Sequence, residues 1–394
     1  MRKLGIPLIL AGLVIGQPAI ATSKQVARIP MHLELHRPYV DLSVTGPSGH
    51  PVKGRFWLDT GGGAMILSST FADKLGLQPA AKSVNSQGMN LAPTDVPALA
   101  ADGMPLKLTG ARAFIVVNSS DTLEHTDAVG ALPLRMLRHY HVVVDYPDQR
   151  FTVAGPGALK PEGRPVDTFI GEAGMPVVSL DVGGKRHTFL LDTGATYCMM
   201  SADLMHALST AHPDWPSASG TYGPANMLLG VNETTLQMLR IEKMQWGPFE
   251  LRDIGAVSRP AGTYEKWMSK VVGKSVFGSI GGNLLQAFRV DIDFPRGQVY
   301  LGRNTSISDQ PINTVGIVVE PAGGGYVIAA GTAELGNTVQ TGDRLLKVDG
   351  VAVTDATLAG LMARLDGRPG DKHQLTLRRG QQTLTVTAPV EHLL

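Results

Sequence analysis

Two short stretches carry the residues best suited to chemistry. Residues 56–68 read FWLDTGGGAMILS, and residues 189–201 read FLLDTGATYCMMS. In each, an aspartate closes an apolar run and a Thr-Gly pair follows: Asp59, Thr60 and Gly61, then Asp192, Thr193 and Gly194. Water is a poor nucleophile and an amide carbonyl a poor electrophile, and a pair of carboxylates addresses both. Held about 3 Å apart, the two cannot ionise together and share one proton. The ionised carboxylate takes a proton from water, while the protonated one hydrogen-bonds the carbonyl oxygen as charge grows on it. Such a pair must be rigid. An apolar strand end fixes each Asp, and Gly61 and Gly194 let the backbone turn and approach closely. Thr60 and Thr193 offer hydroxyls to cross-link the two turns.

One Asp-Thr-Gly is an ordinary turn sequence, so the weight rests on duplication. The two stretches align without a gap, with Phe56 over Phe189, Leu58 over Leu191 and Ser68 over Ser201. Residues 127–153 align in the same way over residues 275–301, pairing Gly130 with Gly278, Leu137 with Leu285, Asp145 with Asp293 and Pro147 with Pro295. A weaker match sets RPYVDLSV (37–44) against MPVVSLDV (175–182). Each half therefore runs through a strand, a strand ending in Asp-Thr-Gly, a variable middle, a Gly-containing turn, a short apolar helix and a strand pair. The second half is longer, with its surplus expected in the Pro- and Gly-rich stretch TAHPDWPSASGTYGPAN (210–226). Short β-branched strands between Gly and Pro turns predict all-β halves. Asp145 and Asp293, each two residues before a proline, read as strand-end or turn residues.

Both halves resemble the retropepsin/pepsin class of aspartic proteases, over residues 30–303. The resemblance implies two homologous β lobes in tandem and a complete site within one chain. It implies Asp59 and Asp192 as the catalytic dyad, with Thr60, Gly61, Thr193 and Gly194 as supporting loops and the two threonines gripping each other between lobes. Behind each loop it implies an apolar-Gly pair: Phe277-Gly278 or Ile280-Gly281 in the second half. In the first half Val129-Gly130 takes that place, because the alternative pairing puts Pro133 where a glycine is expected. A closing flap is also implied, with Gly88 as candidate in the first half and Tyr222 and Gly223, or Gly230, in the second. One departure bears on chemistry. The residue after Asp-Thr-Gly is often Ser or Thr in this class, and here it is Gly62 and Ala195. Loss of a hydroxyl bond to the charged form predicts raised carboxyl pKa values and activity reaching into weak acid or near-neutral pH.

After residue 303 the pattern changes. Short strands resume, and Leu358, Leu361, Met362 and Leu365 fall on one face of an expected helix within 355–367. QTGDRLLKVDGVAVTD (340–355), that helix and LRRGQQTLTVT resemble a PDZ domain of the bacterial protease-associated type. The resemblance implies a groove between a strand edge and a helix that takes an extended peptide. AGGGYVIAA (322–330) fits its Gly-rich loop, making Gly324, Gly325 and Tyr326 candidate peptide contacts, with Leu358, Leu361 and Met362 as groove lining or simply as core. Such a domain would recruit substrate tails or pack on the protease and gate it.

The chain has 394 residues, 43% apolar and 18% charged, with net charge +1. That composition suits a globular protein and gives no case for nucleic acid or an anionic membrane surface. At the N-terminus, MRK, the apolar LGIPLILAGLVIG and the Ala19-Ile20-Ala21 site predict a secretory signal peptide over 1–21. The expected chain is exported, to the periplasm first of all, with secretion or an uncleaved inner-membrane anchor as alternatives. No later stretch approaches a membrane span. Cys198 is the sole cysteine, so no internal disulfide forms, and its Met neighbours suggest a core residue. The expected divisions are a 22–34 N-terminal segment, lobe one at 35–157, lobe two at 158–303, a linker at 304–312 and the PDZ domain at 313–394. No metal-ligand cluster or phosphate loop is evident, so neither metal nor organic cofactor is expected. The expected partners are a peptide or protein substrate and a protein C-terminus or internal peptide at the PDZ groove, on a monomeric catalytic unit. The reading is an exported aspartic endopeptidase. Its rival is a non-catalytic peptide-binding scaffold on a decayed protease fold, which would need neither carboxylate.

Overall fold

The computed structural model describes residues 25–86, 89–117, 123, 126–226, 233–303, 309–336 and 338–394. The expected signal peptide lies outside the described residues. The fold is β-rich, and the sequence repeat recurs in it. In the first half Arg37–Thr45 pairs antiparallel with Pro51–Asp59, Tyr39 opposite Trp57. Gly54, Phe56 and Leu58 of the second strand are buried in alternation, as a half-buried strand requires. Gly130–Pro133 runs parallel beside it, and Met65–Ser68 completes the crossing. In the second half Pro176–Val182 pairs with Lys185–Leu191, Val177 opposite Leu190, and Gly278–Ile280 and Cys198–Ser201 take the matching places.

Several matched residues now have physical reasons. Ser68 accepts the Phe71 amide at 3.3 Å to cap the helix Ser69–Leu75, and Ser201 accepts the Leu204 amide at 3.2 Å to cap Ala202–Ala211. Gly130 and Gly278 do not sit in the expected turns. They open strands that press on a neighbour's backbone: a Cβ would lie 2.4 Å from the Ile66 carbonyl oxygen at Gly130 and 2.1 Å from that of Met199 at Gly278. The segments that flank the aspartates come three residues later. Pro133 lies opposite Asp59, and Asp192 N–H donates to the Ile280 carbonyl at 3.0 Å. Ile280-Gly281 and Leu132-Pro133 are therefore the pairs behind the two loops, and Val129-Gly130 is not, because strand register places it three residues too early.

The last strands of the two halves join in one sheet. His141–Asp145 and Phe288–Asp293 lie side by side antiparallel, His141 opposite Asp293. Arg150–Ala154 and then Val26–Glu34 extend it on one side, Gln298–Arg303 and Arg164–Val166 on the other. The described part of the expected N-terminal segment is thus a full strand of this sheet. His141 pairs with Asp291 inside it, both buried. Asp145 accepts the Asp148 amide and Asp293 the Arg296 amide, each at 3.2 Å, so both hold strand-end turns.

The C-terminal strands pair in the order Asn313–Val315, Gln382–His392, Lys372–Arg379, Arg344–Val348, Tyr326–Gly331, Ile317–Pro321. They pack on the helix Leu358–Leu365, which Thr357 caps. Tyr326, Leu358, Leu361 and Met362 belong to this module's own core, all under 5% exposed, and the Tyr326 hydroxyl donates to the Ala356 carbonyl at 3.0 Å. Gly324, at φ +71°, and Gly325 form the turn between Ile317–Pro321 and Tyr326–Gly331. The module is seated against the second half. Of the expected linker, residues 304–308 lie outside the described residues, while Asp309 and Ile312 are buried. Asp309 accepts from the Gly255 amide at 2.9 Å and from Asn283 Nδ2 at 2.8 Å. Arg240 Nη2 donates to the Leu394 carbonyl at 2.7 Å. Among the described residues, no helix is long and apolar enough to cross a membrane.

Candidate active site

Asp59 and Asp192 meet where the two halves join. Each is held by its own loop: Gly61 N–H donates to Asp59 Oδ1 at 2.8 Å, and Gly194 N–H donates to Asp192 Oδ1 at 3.1 Å. The glycines make the crossing possible. A Cβ on Gly61 would lie 2.7 Å from Asp192 Oδ1, and a Cβ on Gly194 would lie 2.5 Å from Asp59 Oδ1. Each loop therefore presses its bare glycine on the other half's carboxylate. Beneath them the threonines are fully buried and interlocked. Thr60 Oγ1 donates to the Leu191 carbonyl at 2.6 Å and accepts the Thr193 amide at 2.9 Å. Thr193 Oγ1 donates to the Leu58 carbonyl at 2.9 Å and accepts the Thr60 amide at 3.1 Å.

Burial pushes the Asp192 carboxyl up, to about 8, and the neighbouring Asp59 pushes in the same direction. The Gly194 and Ala195 amides and the Arg37 guanidinium oppose this by favouring the charged form. Burial raises Asp59 as well, against the Gly61 and Gly62 amides, Arg37 and a hydrogen bond from Asp192. The pair is thus built to hold one proton between two carboxyls. Backbone amides stand where hydroxyls were missed. A Cβ at Gly62 would come within 2.6 Å of Asp59 Oδ2, so that position has room for an amide and no side chain.

The structure brings together Asp59, Thr60, Gly61, Asp192, Thr193 and Gly194. Of the flap candidates only Tyr222 and Gly223 are described, and both are buried. Gly88 and Gly230 lie outside the described residues, though Val84–Ser86 and Met89–Thr94 do pair as a hairpin, Ser86 opposite Met89. Tyr222 and Gly223 are packed against the C-terminal module, Tyr222 buried with Ile312, Val318 and Leu394, rather than standing free over the carboxylates. Cys198 is buried, accepts the Gly281 amide at 3.4 Å, and has its thiol pushed up by burial to about 12, so it is no nucleophile.

Arg37 was not foreseen. Its guanidinium lies 4.4 Å over the Trp57 ring, is buried, and acts on both carboxyls. The signal was a mismatch in the third repeat, where Arg37 stands over Met175. Tyr264 is the second residue missed. It is buried near Asp192, with its hydroxyl 2.9 Å from Ser279 Oγ.

A family model described as aspartyl protease matches residues 178–281, a span that includes Asp192 and closes at Gly281. Among solved structures, the chain is similar to an aspartic proteinase from Irpex lacteus, at 12% identity and a TM-score of 0.45, over 72% of this chain and 100% of that one. No curated protein matches. The matched family domain supports a peptidase, whose substrate is a peptide or protein.

Proposed function

We propose that this chain is an exported aspartic endopeptidase of two tandem lobes, with Asp59 and Asp192 as its dyad and a C-terminal PDZ-type module. The observation that carries the reading is the reciprocal crossing of the two loops, in which each glycine meets the other half's carboxylate. In the mechanism, the pair holds one proton. The ionised carboxylate draws a proton from a water between the two, and the hydroxyl oxygen attacks the peptide carbonyl carbon. The protonated carboxyl donates to the carbonyl oxygen as it takes up charge. The tetrahedral diol collapses as the amine leaves with a proton, and the dyad returns to its singly protonated form. The interlocked threonines keep both carboxyls in register through this exchange. Water is the nucleophile, and the chain's own side chains make every proton transfer.

The test is digestion of an unbiased peptide library by the chain, with products read by mass spectrometry in the presence and absence of a chelator. The reading expects internal cleavage that survives chelation. Strict dependence on added zinc, or no cleavage under any condition, would overturn it.

A further inference from the structure

Among the described residues, the strand Ile317–Pro321 is the last of its sheet and pairs on one side only, with Tyr326–Gly331. An edge strand normally leaves backbone groups to solvent, yet Val318 and Val319 are fully buried. The chain itself covers them. Asn226 Nδ2 donates to the Val319 carbonyl at 2.9 Å. Gly223 sits so near that a Cβ would lie 3.1 Å from Ile312 Cγ2. The turn Gly223–Ala225 rests against the helix Leu358–Leu365, and Tyr222 packs with Ile312, Val318 and Leu394. This segment belongs to the loop of a hairpin, closed at its base where Gly220 N–H donates to Leu236 O at 2.6 Å and Thr221 Oγ1 to Glu233 Oε2 at 3.1 Å. In the first half, the hairpin of Val84–Ser86 with Met89–Thr94 holds the equivalent place after the capped helix.

The internal repeat shows what else is covered. Residues two apart on a strand share a face, so Trp57 lies on the face of Asp59 and Leu190 on that of Asp192. In the first half Trp57 and Ile66 on this face remain part-exposed. In the second half the equivalent Leu190 and Met199 are buried, in one cluster with Tyr222, Tyr264, Ile312, Val318 and Leu394. The same surface is part-exposed beside one carboxylate and buried beside the other.

We propose that Tyr222–Asn226 fills, in the resting chain, the peptide groove expected between the edge of Ile317–Pro321 and the helix Leu358–Leu365, and that a peptide displacing it uncovers the second half's share of the substrate cleft. The gating part rests on the protease reading above; the occupied groove does not. A tethered segment competes at an effective concentration of about 1 mM, so an incoming peptide binds weakly until the tether is loosened.

The experiment uses the full chain and a fluorescein-labelled peptide copying residues 219–229, SGTYGPANMLL. Asn226→Asp keeps the shape of the side chain and sets an acceptor against the Val319 carbonyl. Gly223→Ala, at φ +53°, disturbs the same docking from a second position. Fluorescence anisotropy is expected to show at least about tenfold tighter peptide binding to either variant than to the unaltered chain. Library cleavage is expected to rise several-fold in the variants, and in the unaltered chain on adding unlabelled peptide. Equal binding to all three proteins, each shown folded by its melting transition, would overturn the proposal. Tighter binding with unchanged cleavage would overturn the gating. Tighter binding with no cleavage by any form would leave the groove in place and count against the dyad.

Discussion

Thr60 donates its hydroxyl proton to the carbonyl immediately before Asp192, and Thr193 donates to the carbonyl immediately before Asp59. Each also accepts the other's amide, so neither carboxylate is positioned by its own half alone. Thr60→Val or Thr193→Val orphans a buried carbonyl and a buried amide, at about 1–3 kcal/mol for each unsatisfied group. Urea denaturation should register that loss, and kcat/KM should fall by about 100-fold as the carboxyls lose register. Serine at either position should recover most of both. Valine variants with unchanged kinetics would separate the threonines from the site.

The two glycines set a steric test. Gly61→Ala and Gly194→Ala each drive a methyl group into the opposite carboxylate, at 2.7 and 2.5 Å. Both should lose peptide cleavage while keeping far-UV circular dichroism. Gly63→Ala meets nothing within 4 Å and should behave as the unaltered protein. A fully active Gly61→Ala would mean the loops do not cross as described.

The raised Asp192 carboxyl sets the pH behaviour. Its proton stays until pH approaches about 8, so the singly protonated pair persists from weak acid to near neutrality. The kcat/KM profile should fall on its alkaline limb only as that proton leaves, and an optimum at pH 3 with collapse by pH 5 would contradict this. Ala195→Ser adds a hydroxyl near Asp192, favours the charged form, and should move the alkaline limb down. A carboxyl raised on folding also costs stability as pH climbs from the unfolded value toward the folded one. Asp192→Asn removes that cost, so its melting temperature relative to the unaltered chain should be higher at pH 8 than at pH 4.

The meeting of Asp59 with Asp192 and the threonine grip beneath them were legible because the chain states the motif twice, and a repeat pairs residues that one turn sequence leaves unrelated. Ser68 and Ser201 were legible as a match, although their reason, helix capping, needed the structure. Val129-Gly130 was misplaced, and Phe277-Gly278 and Ile280-Gly281 stayed open as alternatives, because a gap-free alignment sets correspondence and says nothing of strand register. The amides that replace the missing hydroxyls at Gly62 and Ala195 leave no trace in side-chain identity. Tyr222 was one of several candidates for the flap that the resemblance implies. Its burial against Ile312, Val318 and Leu394 depends on a contact between distant segments that no local pattern encodes. The same holds for Tyr326, Leu358, Leu361 and Met362, where helical periodicity marks an apolar face without telling core from groove.

The most direct test of the dyad is steady-state cleavage of one library-derived peptide by Asp59→Asn and Asp192→Asn, each checked for folding. One carboxylate must be charged and the other protonated, and an amide can be neither. Each substitution alone should therefore lower kcat/KM by at least about 1,000-fold, and the double variant by little more, as expected of residues acting as a unit. Cleavage near the unaltered rate by either single variant would contradict a shared-proton pair.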